Sequence, residues 1–209
     1  MITGSSNPST AAARAKARKR NLIDRTRLRQ LIQQTPEQLA ISVADSGYRA
    51  EIDIYAAKHS GSDLIELALT QNLEKELLSV LKVCSGKLKV QVQIYAERFT
   101  YQNAKIVLRA ISTKATLEDI AHAVLPEENE CNTSWLNIIS NSDSLSEASE
   151  QMKQFSFAKA FAKLDADSSL SSYEDALDRH YFEKALAAAN GKDVADKFLR
   201  NHLQMEIDH

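Results

Sequence analysis

A helix start is predicted by residues 35–52, TPEQLAISVADSGYRAEI. Thr35 offers a hydroxyl to the first backbone amides, Pro36 stands where a helix needs no N–H, and Gln38 can reach back to the cap. A similar order, with a short oxygen-bearing side chain three residues before an acid, recurs at Asp63, Thr116, Ser144 and Ser172. Apolar residues spaced three or four apart follow these starts. The pattern predicts short amphipathic helices that pack on one another.

The composition of the 209 residues also favours an all-α protein. Only 5 Gly and 3 Pro are present, whereas average usage would give about 25 of the two together. Turn-rich β-sandwiches and glycine-rich nucleotide-binding folds are therefore disfavoured. Residues 87–95 alternate like a strand, but the sequence offers them no partner strand. We predict a helix there too, and an all-α fold of repeated helical-bundle units.

Charge is distributed unevenly along the chain. The overall net charge is −2, but residues 11–34 hold eight basic residues and one acid, so the remainder carries −9. Because this run has neither Gly nor Pro, we predict one long basic helix. Its charge could bind phosphates or an acidic protein surface, or form an ordinary solvated face. Nucleic-acid recognition is disfavoured, since the segment has no aromatic residue for base stacking.

The residue types that carry chemistry form no catalytic or metal-binding pattern. Cys84 and Cys131 are far apart and form no CxxC pair, so we interpret both as packing residues. The histidines form neither an HxxH nor an HExxH motif: His59, His122, His180, His202 and His209. Gly86 and Gly191 each follow a helical run and are interpreted as helix C-terminal caps. We expect no catalytic residue, no cofactor and no metal ion.

Neither a membrane span nor a secretion signal is evident in the sequence. The chain has no run of about 18 apolar residues, and residues 1–10 lack the apolar core of a signal peptide. These ten residues, MITGSSNPST, are small and polar. We predict a disordered tail over residues 1–10 and a cytosolic chain that does not cross a membrane.

Two parts of the chain resemble each other. An offset of 108 residues aligns Glu66 with Glu174, and each acid opens an E-x-A-L unit. We interpret the similarity as an internal duplication. It predicts a first helical unit over residues 11–99 and a second unit over residues 100–209.

Two longer motifs are specific to one family. The first has the form D-x-x-N-hydrophobic-K-x-x-x-R, with Thr in place of Asp and a small hydrophobic residue, and is matched by Thr100, Asn103, Ala104, Lys105 and Arg109. The second has the form E-x-x-L-D-x-x-Y-Y, with Phe at its last position, and is matched by Glu174, Leu177, Asp178, Tyr181 and Phe182. In these motifs and their order, residues 11–209 resemble the C-type subunit of archaeal and bacterial V/A-type rotary ATPases, which is similar to the d-type subunit of eukaryotic vacuolar ATPases.

The resemblance implies a non-catalytic coupling subunit of an A-type ATP synthase or V-type ATPase. Such a protein lies on the cytoplasmic side of the membrane, joins the central-stalk subunits of D and F type to the membrane proteolipid ring, and transmits torque for proton or sodium transport. The family has three helical units, which implies that this chain is the N-terminal two-thirds of a longer protein. The alternative is a helical-repeat adaptor, or a nucleic-acid-associated module that uses the basic N-terminal helix.

The charged and amide residues of the motifs are candidate structural residues: Glu66, Asn103, Lys105, Arg109, Glu174 and Asp178. Lys105 and Arg109 lie four apart on one helix face. They could pair with Glu66 and Glu174, or offer charge to a partner protein. Because an Asn near a helix start commonly caps it, we predict that role for Asn103.

Overall fold

The computed structural model describes residues 5–20 and 22–208, and the regular elements within these ranges are all helical. The all-α prediction is confirmed, including the helix predicted for residues 87–95. Contacts along the chain divide it between Ser85 and Gly86 into two compact units. We call them the N-terminal unit and the C-terminal unit.

In its described part, the N-terminal unit contains α1 (Pro8–Lys19), α2 (Arg25–Leu31), α3 (Pro36–Val43), α4 (Arg49–Tyr55) and α5 (Gly61–Val83). The long helix α5 packs on α3 and α4. Their apolar faces form a core with Val43, Ile52, Tyr55, Leu64 and Ala68 among its members. A π-helical turn, Ala44–Tyr48, joins α3 to α4, and Gly47 within it has a φ of 108°, which glycine adopts without a steric penalty.

In its described part, the C-terminal unit contains α6 (Gly86–Thr113), α7 (Leu117–Ala123), α8 (Thr133–Ser140), α9 (Leu145–Gln151), α10 (Leu170–Ala188) and α11 (Val194–Ile207). Short 3₁₀ turns lie at Glu130–Asn132, Met152–Gln154 and Ala158–Lys163. The helix α6 is about 42 Å long at 1.5 Å per residue. It packs on α8, α9, α10 and α11, and is therefore the scaffold of this unit.

Aromatic side chains fill the centre of the C-terminal unit. Trp135 stacks on Phe155 with ring centroids 4.2 Å apart, and Phe155 stacks in turn on Phe157 at 5.4 Å. Phe157 is fully buried and lies 5.1 Å from the ring of Tyr101 on α6. Such ring pairs add about 0.5–1.5 kcal/mol each beyond the area that they bury. The aromatic cluster therefore holds the loop between α9 and α10 against α6.

The structure confirms three of the five predicted helix starts. Thr35 and Gln38 form the reciprocal capping box at the start of α3. The hydroxyl of Thr116 accepts the N–H of Asp119 at the start of α7, and Ser144 caps α9 in the same way. These caps are local interactions, and for that reason the sequence alone was sufficient to locate them.

The other two predicted starts, Asp63 and Ser172, lie inside helices. The N-caps are Ser60 for α5 and Ser169 for α10, each three residues earlier than predicted. At α10 the reason is visible, because the Ser169 hydroxyl accepts the N–H of Ser172 at 3.2 Å. A second serine one turn upstream therefore replaces the predicted cap.

The prediction of one continuous basic helix over residues 11–34 is wrong. α1 ends at Lys19 and α2 begins at Arg25; Asn21, between them, lies outside the described residues. Asp24 causes the new start, since its carboxylate accepts the N–H of Arg27 at 2.8 Å. Asp favours such a cap over a helix interior because its short side chain bonds nearby backbone amides.

The predicted tail over residues 1–10 falls partly outside the described residues, which begin at Ser5. Within the described part, α1 begins at Pro8. The side-chain amide of Asn7 donates to the carbonyl of Val83 at 2.7 Å, and its oxygen accepts the N–H of Ser85 at 2.8 Å. Residues 5–10 are therefore held against the end of α5, and the prediction of disorder does not apply to them.

The boundary between units also differs from the predicted one at residues 99 and 100. Both of those residues lie inside α6, which is unbroken from Gly86 to Thr113. The chain turns earlier, at Gly86, whose φ of 55° is in the left-handed region that favours glycine. Gly86 therefore opens α6, and α5 ends on Cys84 as its C-cap.

Candidate functional site

A row of polar contacts joins α6 to α10 in the C-terminal unit. On α6 its members are spaced one helical turn apart: Glu97, Tyr101, Lys105 and Arg109. Their partners follow in antiparallel order on α10: Lys184, His180, Asp178 and Glu174. We call these eight residues the polar ladder. It contains four of the six structural residues predicted from the sequence.

The charged residues of the two sequence motifs meet in the ladder. The Lys105 ammonium lies 2.6 Å from both carboxylate oxygens of Asp178. Nε of Arg109 lies 2.5 Å from Oε1 of Glu174. The hydrogen bond to Glu174 raises the pKa of Arg109, so the guanidinium stays charged. Each motif thus supplies one side of a helix–helix contact.

The remaining two candidate residues occupy other positions. Glu66 is exposed on α5, in the N-terminal unit, and Lys105 and Arg109 have Asp178 and Glu174 as their partners instead. Asn103 lies in the middle of α6, half-buried. The prediction that Asn103 caps a helix is therefore wrong, because the helix continues without a break on both sides of it.

The other half of the ladder contains an ion pair and a neutral contact. Nζ of Lys184 lies 2.5 Å from Oε2 of Glu97, and the Tyr101 hydroxyl lies 2.8 Å from Nδ1 of His180. Burial raises the pKa of Tyr101, whereas burial and the nearby Lys184 lower the pKa of His180. Both groups are therefore neutral at pH 7, and the tautomer of His180 decides which of them donates the hydrogen bond.

The ladder lies on both sides of the apolar contact between α6 and α10. On α10 a row of buried side chains faces α6: Tyr173, Leu177, Tyr181 and Ala185. At 100° per residue, Glu174 and Asp178 flank this row on one side, and His180 and Lys184 flank it on the other. The apolar row is therefore bounded by polar contacts at both edges.

A second polar cluster surrounds Asp196 near the start of α11. The Asp196 side chain is fully buried, and its Oδ1 accepts the side-chain amide of Gln91 at 2.7 Å. The Lys87 ammonium donates to Oδ2 of Asp196, and also to Oδ2 of Asp193 at 2.8 Å. Asp193 caps α11 by accepting the N–H of Asp196 at 2.8 Å. The cluster thus joins the first turn of α6 to the first turn of α11.

Gly191 leaves room for the Asp196 carboxylate and the Lys87 ammonium because it has no side chain. A Cβ at this position would lie 1.8 Å from Oδ2 of Asp196 and 2.5 Å from the Lys87 ammonium. No real Cβ tolerates such distances, so one of these groups would have to move. The role of Gly191 is therefore close packing beside a buried carboxylate.

Sequence reasoning missed the Asp196 cluster. One signal was available, because Asp193 and Asp196 have the same three-residue spacing as the other helix starts. No local signal connects them to Lys87 or Gln91, which lie more than a hundred residues earlier in the chain.

The pKa of Asp193 predicts a pH dependence of stability. The hydrogen bond from Lys87 lowers the pKa of Asp193 from 3.8 to about 2. A carboxyl group with a lowered pKa in the folded state stabilises above its unfolded pKa and loses that contribution as pH falls. We expect the difference in urea midpoint between the wild type and Asp193→Asn to be constant above pH 4 and to shrink between about pH 4 and pH 2. A difference that stays constant down to pH 2 contradicts the assignment.

The exposure of Arg109 limits the stability that its ion pair contributes. Its side chain is 59% exposed and that of Glu174 is 21% exposed. We expect Arg109→Ala to lower the free energy of unfolding by about 0.5–1 kcal/mol, since solvent screens such a pair. Arg20→Ala, at an exposed position in the N-terminal unit, is the matched control and is expected to have no measurable effect in urea denaturation. Equal losses in the two variants would contradict a specific role for Arg109.

Metal sites and membrane spans are absent from the described part of the chain. Among residues 5–20 and 22–208, no group of three or more His, Cys, Asp or Glu side chains is arranged to hold a metal ion. Within the same residues, no helix combines the length and the apolar character that crossing a membrane requires.

The fold and the ladder define a class of protein, an all-α helical bundle whose charged residues join long helices. Within that class, the family model described as ATP synthase (C/AC39) subunit matches residues 11–209. The chain belongs to this family.

Curated relatives agree with this assignment. The chain is 31% identical, over 100% of its length, to the C-type subunit of the A-type ATP synthase of Haloquadratum walsbyi. It is 28% identical over 99% of its length to that of Haloferax volcanii, and 26% identical over 98% to that of Methanosarcina acetivorans. The match covers 61%, 60% and 57% of these relatives, so the chain spans about three-fifths of their length.

Proposed function

We propose that the protein is a non-catalytic coupling subunit of a rotary ATPase of the A or V type. In this role it joins the central-stalk subunits of D and F type to the membrane proteolipid ring, on the cytoplasmic side of the membrane. It transmits torque between ion transport and the ATP chemistry that other subunits perform. The observation that carries the proposal is the family match over residues 11–209, which the relatives from A-type ATP synthases support.

The polar ladder supports a mechanical role. A part that transmits torque needs helices that keep their relative positions under load. Ion pairs at both edges of the α6–α10 contact restrain those helices more than an apolar face alone, because apolar contacts are non-directional. We therefore propose that Lys105, Arg109, Glu174 and Asp178 serve the stiffness of the C-terminal unit, and that Glu66 and Asn103 are available to partner subunits.

The relatives' greater length bears on the organisation of the whole protein. We propose that the complete protein has a further helical unit beside the two described here, and that gripping the stalk requires all of them. A socket that holds its partner from several sides loses affinity steeply when one side is missing, at about 1.4 kcal/mol per tenfold.

The assembly test is co-purification. A tagged form of the complete protein is expected to retain the D- and F-type stalk subunits and the proteolipid ring after mild detergent extraction. Calorimetry then compares the 209-residue chain with the complete protein for binding to purified stalk subunits. We expect weaker binding by the 209-residue chain. The proposed function would be refuted if the tagged complete protein retained no stalk subunits and calorimetry detected no binding to them.

The coupling test uses the ladder. In a reconstituted complex, Lys105→Glu places two acids in contact at Asp178 and is expected to reduce ATP-driven ion transport more than ATP hydrolysis. The double variant Lys105→Glu/Asp178→Lys reverses the pair and is the matched control, expected to restore transport. If omitting the protein from the complex leaves ATP-driven ion transport unchanged, it has no coupling role.

A further inference from the structure

The N-terminal unit presents a strongly basic surface formed by α1 and α2. Eight basic residues lie in this stretch: Arg14, Lys16, Arg18, Lys19, Arg20, Arg25, Arg27 and Arg29. α1 buries none of its residues, and α2 buries Leu31 alone. We call residues 8–32 the basic segment. Because most of its described residues are exposed, its charge is available to a partner.

The first half of the basic segment, α1, is held in place on α5. Arg18 donates to Oε2 of Glu76 at 2.9 Å and also to the hydroxyl of Ser79. Asn7, just before α1, is bonded to both Val83 and Ser85. For α1, binding therefore costs less ordering entropy than it would for a flexible tail. Among the described residues, Arg18 is the one basic residue of the segment with a carboxylate within 4.0 Å.

Aliphatic side chains are exposed among these charges. Arg25, Leu28, Arg29 and Ile32 follow the spacing i, i+3, i+4 and i+7, which places them on one face of α2. Leu28 is 47% exposed and Ile32 is 81% exposed, whereas Leu31 on the inner side is 4% exposed. This face of α2 therefore combines two cations with two large aliphatic groups in contact with water.

Nucleic acid and anionic lipid both complement the charge, but they differ in what they offer the aliphatic groups. Binding to nucleic acid is strengthened when bases stack on aromatic side chains, and the segment contains no aromatic residue. An anionic phospholipid surface offers phosphates to arginine and an acyl boundary to leucine and isoleucine. Arginine stems can lie along that boundary while their guanidinium groups stay in water.

We infer that the basic segment binds the surface of membranes that contain anionic phospholipid. Arg25 and Arg29 contact headgroup phosphates, and Leu28 and Ile32 enter the boundary between headgroups and acyl chains. The remaining cations of α1 add long-range attraction that salt weakens. This inference goes beyond the proposed function and does not require the rotary complex.

The test is sedimentation of the 209-residue chain with vesicles. We expect binding to vesicles of phosphatidylcholine mixed with phosphatidylglycerol, little binding to phosphatidylcholine alone, and weaker binding as salt increases. Arg25→Gln/Arg29→Gln should weaken binding about 30-fold, since each cation near an anionic surface contributes about 1 kcal/mol and 1.4 kcal/mol is tenfold. Leu28→Ser/Ile32→Ser should weaken binding about tenfold and leave the salt dependence unchanged.

Matched controls lie on α11 and just before it, in the C-terminal unit. Lys192→Gln/Lys197→Gln removes the same charge from exposed positions. Val194→Ser/Phe198→Ser removes apolar groups that are 84% and 73% exposed. Both controls should bind anionic vesicles as the wild type does, and circular dichroism should show that all four double variants remain helical.

Four results would overturn the inference. The first is equal binding to neutral and anionic vesicles. The second is unchanged vesicle binding by Leu28→Ser/Ile32→Ser, because the aliphatic groups would then not enter the membrane boundary. The third is tighter binding to duplex DNA than to anionic vesicles, which would assign the segment to recognition of another macromolecule. The fourth is an equal loss of binding in the α11 controls, since the effect would then not belong to the basic segment.

Discussion

Asp196→Ala is expected to lower the free energy of unfolding by about 3 kcal/mol, because it leaves a buried polar partner without its acceptor. The side-chain amide of Gln91, itself 7% exposed, donates to Asp196 and would lose that bond. Lys87 would keep Asp193 as a partner. The destabilisation therefore comes mainly from Gln91, the buried donor that loses its acceptor. Urea denaturation followed by circular dichroism measures the change.

Two comparisons make the Asp196 result specific. Asp167→Ala, at an exposed position, should change the free energy of unfolding by less than about 0.5 kcal/mol. Gly191→Ala should destabilise as well, because its Cβ would meet the Asp196 carboxylate at 1.8 Å. If Asp196→Ala and Asp167→Ala unfold at the same urea concentration, the buried cluster contributes nothing to stability.

Phe157→Ala is expected to be the most destabilising single substitution of the aromatic cluster, at about 3–5 kcal/mol. Phe157 is fully buried and contacts the rings of Phe155, Tyr101 and Phe161. Its removal would leave a cavity between the α9–α10 loop and α6, where the surrounding helices cannot fully collapse. Differential scanning calorimetry measures the loss.

A second phenylalanine provides the control for Phe157. Phe198→Ala makes the same chemical change on α11, where the side chain is 73% exposed. We expect its effect to stay within about 0.5 kcal/mol. Similar losses in the two variants would show that the aromatic cluster is not a cooperative part of the fold.

Local chemistry accounts for what the sequence predicted well. A cap such as Thr35, Thr116 or Ser144 bonds an amide three residues away, so the sequence contains both partners of the interaction. Gly and Pro are scarce along the whole chain, and their scarcity favours helix throughout. The all-α prediction followed from this composition. Within residues 11–34, however, Asp24 was interpreted as part of a helix although its residue type favours a cap.

The contacts between helices join residues that are far apart in the chain. Lys105 and Asp178 are separated by 73 residues and Lys87 and Asp196 by 109, and no periodicity connects residues that far apart. The family motifs contain Lys105, Arg109, Glu174 and Asp178, but the pairing of Lys105 with Asp178 came from the structure. The unit boundary was misplaced for the same reason, since a similarity at an offset of 108 does not locate the turn between helices.

The polar ladder has a further consequence for how the C-terminal unit responds to force. When α6 and α10 are pulled along their axes in opposite directions, the four contacts are loaded in parallel, and all must yield before either helix slides by one turn. When one end is peeled away, the contacts break one after another, each at a much smaller force. Because the contacts lie at both edges of the apolar row, rolling α10 about its axis stretches one pair of contacts as it compresses the other. The helix pair is therefore expected to be stiff in shear and in torsion, and weak only when it is opened from an end.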